Sequence, residues 1–335
     1  MEYSLILKGA MSCVCHCHYC SADIIEPTAD YKDTDHIEID YVAMEKTLRS
    51  NPLIQNAIKN REAIQLNLWG SEPLMWIDYY DEIMEWYETV MTDLWKFDDK
   101  SKPVYYISTS GIPLKQKKVR DWIDRQIERG VTLSIQLSHD GVGQFCRTSK
   151  WDPLYDEVVG PYLADLCRKG VFNMVNATLH KFNNSHMANI FYFNKWRYEN
   201  HLESSNLMIK NNHMNDSSYC DDFNLRGDAL REYMHEMELV WQQAYLADPN
   251  DLWWKPYREY YLNQMKRWDK YRGPGGCGMF STGQRDYTWC MNSVGEYVMC
   301  QLFQSNEFIP NKDLKRKPVY EEGKYSSYNE MWPCP

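Results

Sequence analysis

Hydrophobic and polar residues alternate along this chain with two different periods. Short apolar stretches, several with a polar residue at every second position, have the pattern of β-strands, and the longer segments between them have the pattern of amphipathic helices. The predicted strands span residues 3–8, 63–69, 103–108, 131–138, 171–179 and 205–209. The predicted helices span residues 40–60, 76–95, 114–129, 154–169 and 186–200, and Gly130 and Gly170 mark the ends of two of them.

The regular alternation of strand and helix predicts an α/β fold. Strands that are separated by helices form parallel sheets of βα units. Six such units fit a partial (β/α)6 TIM barrel, whose active site is built at the C-terminal ends of the strands. The segments that directly follow each strand are therefore the places where chemistry is expected.

A different pattern begins near residue 226. Residues 226–272 have a helical period and are rich in Trp and Tyr, most densely at residues 252–261, and residues 273–276 (Gly-Pro-Gly-Gly) then break the pattern. An aromatic stripe of this kind is typical of core or interdomain packing, although it could also stack on a flat substrate. The predicted organisation is a barrel over residues 1–225, an aromatic-rich helical linker over 226–272 and an auxiliary domain over 273–335.

Composition and charge narrow the classes of function. No apolar stretch is long enough to predict a membrane span, and the first residues lack the basic start of a signal peptide. We therefore expect a cytoplasmic protein, in which eleven reduced cysteines favour metal binding over disulfides. The net charge of −10 counts against broad binding to nucleic acid, without excluding a local basic groove.

Cys13, Cys17 and Cys20 form a C-x3-C-x2-C loop directly after the first predicted strand. Three thiolates on one loop can hold three irons of a 4Fe–4S cluster and leave the fourth iron open. The alternatives are a zinc site, which His16 and His18 would suit, and a disulfide cluster, which would need an oxidising compartment. Zinc sites usually combine two separated ligand pairs, and no partner pair lies near this loop, so the spacing favours the cluster.

The cysteine loop resembles that of the radical S-adenosylmethionine (SAM) enzymes. In that family the open iron binds the amino and carboxylate groups of SAM, and Tyr19 is similar to an aromatic residue found before the third cysteine. The resemblance implies a partial TIM barrel, a 4Fe–4S cluster and SAM as cofactors, with Cys13, Cys17 and Cys20 as the catalytic cluster ligands. It also implies an electron donor such as flavodoxin or ferredoxin.

Further strand ends resemble SAM-binding segments of the same family. Residues 69–74 are similar to its Gly-Gly-Glu-Pro turn, with Ser71 replacing the second glycine, and residues 109–111 match a Thr-Asn-Gly segment loosely. Residues 138–141 and Arg147 are similar to a Ser-x-Asp-Gly…Arg segment, in which arginine would pair with the SAM carboxylate. The resemblance implies SAM binding by Tyr19, Gly70, Ser71, Glu72, Ser138 and Arg147. Glu72 could also brace its turn, and a surface ion pair is the alternative for Arg147.

Polar residues at strand ends are candidate substrate contacts, because such positions of a barrel face the substrate. Asp140, Asn176 and His213 are predicted in this role, with a structural role in the scaffold as the alternative for each.

The last segment contains four more cysteines, Cys277, Cys290, Cys300 and Cys334, and residues 295–300 have the form G-x4-C. This is similar to the auxiliary-cluster region of the SPASM and Twitch subgroups of radical SAM enzymes. The resemblance implies a Twitch-like domain in which these four thiolates hold a second 4Fe–4S cluster. A zinc site with the same ligands and unligated core thiols are the alternatives.

Taken together, the resemblance implies an enzyme that reductively cleaves SAM to a 5′-deoxyadenosyl radical, which abstracts a hydrogen atom from a peptide or protein side chain and leads to oxidation, crosslinking or epimerisation. A small metabolite or a modified nucleoside or DNA base is the alternative substrate. A non-catalytic, metal-stabilised binding module is the alternative of another class. Because Cys13 stands so near the start of the chain, no leader-binding domain is expected before it.

Overall fold

The computed structural model describes residues 3–8, 13–15, 17, 39–50, 55, 58–59, 64–69, 72–95, 103–148, 151–213, 223–271, 287–291 and 297–298. The strands are β1 (Tyr3–Lys8), β2 (Ile64–Trp69), β3 (Val104–Thr109), β4 (Thr132–Ser138), β5 (Phe172–Leu179), β6 (Met208–His213), β7 (Tyr287–Met291) and β8 (Tyr297–Val298). The α-helices are α1 (Tyr41–Ser50), α2 (Ile77–Trp95), α3 (Lys117–Glu128), α4 (Phe145–Thr148), α5 (Val159–Arg168), α6 (His186–Glu199), α7 (Gly227–Leu246) and α8 (Lys255–Tyr271). Three short 3-10 helices cover Pro73–Trp76, Ile112–Lys115 and Gly141–Gly143.

The strands form one sheet in the order β6-β5-β4-β3-β2-β1-β7-β8. Strands β1 to β6 pair in sequence order and all in parallel. In the part of the chain that the structure describes, β6 lies at one edge and does not pair with β1, so the barrel is open. This confirms the predicted α/β partial barrel.

The predicted elements are confirmed in kind, and several of their bounds differ. Helix α1 is described only over Tyr41–Ser50, because most of residues 51–60 of the predicted helix lie outside the described residues. Strand β6 begins at Met208 and not at residue 205. Helix α5 begins at Val159 and not near residue 154, because the Asp156 carboxylate accepts hydrogen bonds from the amides of Val158 and Val159 and so caps the helix there. Strand β6 extends to residue 213, beyond the apolar run that predicted it, because its polar residues continue the pairing with β5. The helical segment 226–272 is two helices, which separate near Pro249, a residue that disfavours helix before it.

The two faces of the sheet differ in polarity. Alternate residues of the strands, such as Leu66, Ile107, Leu137 and Val175, are buried and pack against the helices in one apolar core. The residues between them face the concave side and are mostly polar and partly exposed: Gln65, Asn67, Tyr106, Ser108, Ser134, Ser138, Asn176 and Thr178. A barrel interior of this kind offers hydrogen-bonding groups to a ligand where a closed TIM barrel would be filled by apolar side chains.

The aromatic segment that follows the barrel packs against the same core. Tyr257 is buried, and Trp253, Trp254 and Tyr261 lie partly buried on the apolar cluster. These contacts support the packing interpretation of the stripe over stacking on a flat substrate. Among the described residues, no helix has the length and apolar character needed to cross a membrane.

Strand β7 lies within the predicted auxiliary segment and joins the barrel sheet. It pairs in parallel with β1, and Cys290 lies opposite Ile6. Strand β8 then pairs with β7 in the antiparallel direction. The strand that precedes the cysteine loop therefore has a hydrogen-bonded neighbour on both sides.

Candidate active site

The cysteine loop follows β1, and three of its thiols are described. Cys13 is partly exposed, whereas Cys15 and Cys17 are buried. The Cys15 amide donates a hydrogen bond to the Cys13 Sγ atom over 3.4 Å. Cys20 and Tyr19 lie outside the described residues, so two of the three predicted cluster ligands can be placed.

Neighbouring groups shift the pKa values of the Cys15 and Cys17 thiols in opposite directions. Hydrogen bonding to Cys13 and Cys17, together with burial, raises the pKa of the Cys15 thiol far above its ordinary value. The Cys15 thiol in turn lowers the pKa of Cys17, and the positive charge of Arg147 acts in the same direction. Cys17 is thus the thiol whose surroundings favour the thiolate, the form that ligates a metal.

Arg147 connects the cysteine loop to the segment after β4. Its Nη1 atom lies 3.6 Å from the Cys17 Sγ atom, and its Nη2 atom lies 3.0 Å from the Asp140 Oδ1 atom. The Asp140 side chain is fully buried, and it also accepts a hydrogen bond from the Thr178 amide over 2.9 Å. The structure therefore brings together Cys17 and Arg147, which are 130 residues apart in sequence.

Asp140 is predicted as a substrate contact, and its carboxylate is engaged within the protein. Besides Arg147 and the Thr178 amide, the backbone carbonyl of Asp140 accepts a hydrogen bond from Asn183 over 2.7 Å. These contacts support the scaffold alternative for Asp140, in which it orients Arg147.

The turn that carries Asp140 is held by hydrogen bonds at every backbone amide. The amides of residues 139 to 144 donate, in order, to Asn176 O, Gln144 Oε1, His139 Nδ1, Asn189 Oδ1, Asp140 O and Gly141 O. A segment in which every donor is satisfied adopts one conformation, which suits a site that must present Arg147 in a fixed direction.

Gly141 lies at the tightest point of this turn. Its φ is +60°, and a Cβ atom added there would lie 2.2 Å from the Asn189 Oδ1 atom. Gly170 has a similar φ of +74°, but open space surrounds it. The two glycines therefore differ in crowding and share the left-handed backbone.

We expect Gly141→Ala to destabilise the protein more than Gly170→Ala. The left-handed backbone costs about 1–2 kcal/mol for a residue with a side chain, and this applies to both. The overlap with Asn189 adds roughly 1–3 kcal/mol at position 141 alone. Denaturant unfolding of both variants measures the difference, and equal losses would show that Asn189 moves aside freely.

Glu72 follows β2 and is buried against the end of β3. Its carboxylate accepts hydrogen bonds from the Thr109 hydroxyl over 2.7 Å, the Ser110 amide over 2.8 Å and the Ser110 hydroxyl. A weaker bond from the Leu74 amide, at 3.4 Å, caps the following 3-10 helix. Burial raises the pKa of Glu72, and the bonds from Ser110 and Thr109 only partly oppose this. These contacts favour a bracing role for Glu72. Gly70 and Ser71, the other two predicted SAM contacts of this segment, lie outside the described residues.

We expect Glu72→Ala to lower the unfolding free energy by at least about 2 kcal/mol, because it leaves three buried donors at Thr109 and Ser110 without an acceptor. Glu45→Ala, which removes an exposed partner of Arg49, is the control and should cost much less, because surface ion pairs contribute little to stability. Denaturant unfolding tests both. A loss no larger than that of the control would contradict the bracing role.

Ser138 ends β4 on the concave face. Its Oγ atom lies 3.2 Å from that of Ser108 on β3, and its backbone lies opposite Asn176 on β5. The two predicted contacts, Ser138 for SAM and Asn176 for substrate, are therefore neighbours at one end of the sheet. His213 ends β6 on the far side of β5, and its side chain lies outside the described part of the chain.

The predicted auxiliary cysteines can be placed only in part. Cys290 is the fourth of the five residues of β7. Cys277, Cys300 and Cys334 lie outside the described residues. Within the described ranges no three His, Cys, Asp or Glu side chains are grouped to hold a metal ion. The second cluster therefore stays a prediction.

Two features of the site were missed by the sequence analysis. Cys15 lies between the predicted ligands, although the loop spacing assigns it no role. His139 takes the variable position between Ser138 and Asp140, yet it is fully buried and bonded to Asp152. A histidine directly after an apolar strand, with an aspartate thirteen residues later, is the only signal in the sequence for this pair.

Comparison with known proteins supports the fold. No protein-family model and no curated protein matches the sequence. The solved structure of polyhistidine-tagged anSMEcpe with bound AdoMet is similar at a TM-score of 0.54 and 14% identity, over 90% of this chain and 74% of that one. Native anSMEcpe with bound AdoMet and the Cp18Cys peptide is similar at a TM-score of 0.52 and 14% identity, over the same shares. The chain therefore shares the partial-barrel fold of these two structures.

Proposed function

We propose that this protein is a radical SAM enzyme that holds a 4Fe–4S cluster on Cys13, Cys17 and Cys20. The observation that carries the proposal is the meeting of Cys17 with Arg147 at the C-terminal ends of β1 and β4. In such an enzyme the cation that binds the SAM carboxylate would lie close to the cluster, because the carboxylate would bind the open iron. Here two loops far apart in sequence supply the Cys17 thiol and the Arg147 cation at 3.6 Å.

The chemistry of the described residues fits a 4Fe–4S cluster. Cys13 and Cys17 are thiols on one loop, the soft donors that iron–sulfur clusters take. The lowered pKa of Cys17 favours the thiolate, and the cation of Arg147 offsets negative charge beside it. A cluster with SAM on its open iron would supply a 5′-deoxyadenosyl radical that abstracts a hydrogen atom from substrate.

The protein's own residues would orient SAM. Asp140 holds the Nη2 end of the Arg147 guanidinium and so fixes the direction of its plane beside Cys17. Glu72 braces the turn after β2, where backbone at Gly70 and Ser71 would accept hydrogen bonds from the SAM ammonium. Ser138 would hydrogen bond SAM from the end of β4.

We propose a peptide or protein side chain as substrate. The crystallised anSMEcpe contains a peptide, and the fold likeness to it covers most of this chain. The concave face is rich in amide and hydroxyl groups, which suit the hydrogen-bonding groups of a peptide. Asn176, next to Ser138, would be the substrate contact closest to SAM.

The auxiliary cluster is part of the same proposal. Cys277, Cys290, Cys300 and Cys334 would hold a second 4Fe–4S cluster and take an electron from the substrate or help to hold it. The pairing of β7 with β1 supports a position for Cys290 close to the barrel. Replacing Cys290 should lower the iron content from about eight to about four atoms per chain.

The proposed function is tested on the full chain, purified without oxygen, reconstituted with iron and sulfide, and reduced with dithionite or flavodoxin. Formation of 5′-deoxyadenosine from SAM, with about four or eight irons per chain, is the expected result. Bound zinc in place of iron and no cleavage of SAM would overturn the proposal and favour a metal-stabilised binding module.

A further inference from the structure

His139 is completely buried, and its two ring nitrogens have different hydrogen-bond partners. Its Nδ1 atom accepts a hydrogen bond from the Gly141 amide over 2.9 Å, so this nitrogen carries no proton. Its Nε2 atom lies 2.9 Å from the Asp152 Oδ1 atom and therefore donates to that carboxylate. The ring thus joins the turn after β4 to the segment before α5.

The Asp152 carboxylate is held in place from several directions. It also accepts hydrogen bonds from the Tyr192 hydroxyl and from the Leu154 amide, the latter over 2.9 Å. Burial raises the pKa of Asp152, but the bonds from His139 and Tyr192 outweigh it and hold the pKa below its usual value. An ionised acceptor with fixed partners fixes the direction of the His139 ring.

Helix α6 forms the other wall around this histidine. The ring centroid of His139 lies 5.4 Å from that of Tyr192 and 5.5 Å from that of Phe193. His139 therefore points away from the concave face, toward the helices, while its neighbour Asp140 holds Arg147. The bond to the Gly141 amide fixes the peptide that joins Asp140 to Gly141.

We propose that His139, oriented by Asp152, is a positioning residue that fixes the Asp140–Gly141 peptide and thereby places Arg147 for SAM binding. This inference rests on the proposed function. In this role His139 acts through the hydrogen bonds of its ring nitrogens. A ring that only filled space in the core would not need these bonds.

Two matched substitutions of His139 test the hydrogen bonds of its two ring nitrogens separately. In His139→Asn the side-chain oxygen can occupy the Nδ1 position and accept from Gly141, but the side chain cannot reach Asp152. In His139→Gln the amide can reach Asp152, but no acceptor faces the Gly141 amide. Both variants remove the ring, but Asn leaves a larger cavity than Gln, so a packing role predicts the larger loss for His139→Asn.

We expect His139→Gln to raise the Kd for SAM by about 3- to 10-fold, and His139→Asn to raise it by less, because one hydrogen bond is at stake. Equilibrium dialysis with labelled SAM on the reconstituted protein measures the Kd. In 5′-deoxyadenosine formation the KM for SAM should rise while kcat stays close to that of the unchanged protein. His235→Gln, at an exposed site on α7, is the control.

Equal Kd values for the two His139 variants, or a larger rise for His139→Asn, would overturn the positioning role and leave a packing role. Failure of the unchanged protein to bind SAM would instead overturn the proposed function and this inference with it, so the two failures are distinct. If the His139 variants do not fold, Asp152→Ala serves, because the Asp152 side chain is 26% exposed and water can reach the gap. A Kd unchanged in that variant would also contradict the proposal.

Discussion

Replacing Cys17 with serine is expected to abolish assembly of the SAM-binding cluster and reduce 5′-deoxyadenosine formation to background. A serine oxygen is a poor substitute for a thiolate on iron, and Cys17 is the described thiol that Arg147 and Cys15 favour as a thiolate. Reconstituted protein should lose about four irons per chain together with the visible absorbance of the cluster. Iron analysis and absorbance spectroscopy on anaerobic protein measure the loss.

Cys15→Ser is the matched control for this result. Cys15 lies in the same loop and is buried to the same degree, 8% exposed against 7% for Cys17. If the C-x3-C-x2-C spacing selects the ligands, this variant keeps its iron and its activity. Equal loss of iron in the two variants would mean that the thiols act as an interchangeable group and that the predicted ligand set is wrong.

Substitution of Arg147 should have the second largest effect, on the binding of SAM. Charge-assisted hydrogen bonds contribute about 1.5–3 kcal/mol, so removing the guanidinium should raise the Kd for SAM roughly 10- to 100-fold. Arg147→Lys keeps the positive charge beside Asp140 but lacks the planar fork, and an intermediate loss is expected. Equilibrium dialysis with labelled SAM measures these values.

The experiment must separate binding from folding, because Arg147→Ala alone leaves the buried carboxylate of Asp140 without its cation. The double variant Arg147→Ala/Asp140→Asn removes both charges, and its side-chain amide oxygen can still accept from the Thr178 amide. Arg125→Lys, at a half-exposed ion pair with Asp81, is the control. SAM binding by the double variant at the affinity of the unchanged protein would refute the assignment of Arg147.

Much of the fold was predictable because the positions that are apolar in the sequence pattern are also the positions that are buried in the structure. The apolar positions of β2 to β5 alternate in sequence and face the helices in the structure, and Gly130 and Gly170 have the positive φ values that end a helix. The bounds of β6 were less predictable. Its polar residues are paired with β5 at the edge of the sheet, and the apolar pattern alone could not include them.

The candidate site was predictable where a short motif supplies both residue type and spacing. Cys17 and Arg147 come from two such motifs, and the barrel topology brings them together. The roles of Glu72 and Asp140 depend on partners in other strands, Ser110 and Thr178, whose distances no motif contains. For this reason the sequence alone left open whether each of these carboxylates contacts a ligand or braces its own loop.

The pairing of β7 with β1 affects the order in which the sheet can form while the protein is being synthesised. Strand β1 is synthesised long before β7, one of its two neighbours in the sheet. Until β7 is made, one edge of β1 can pair with other chains, and closing so long a loop slows folding. The strand that leads into the cysteine loop therefore acquires its final surroundings only after strands β2 to β6 and helices α7 and α8 have been synthesised.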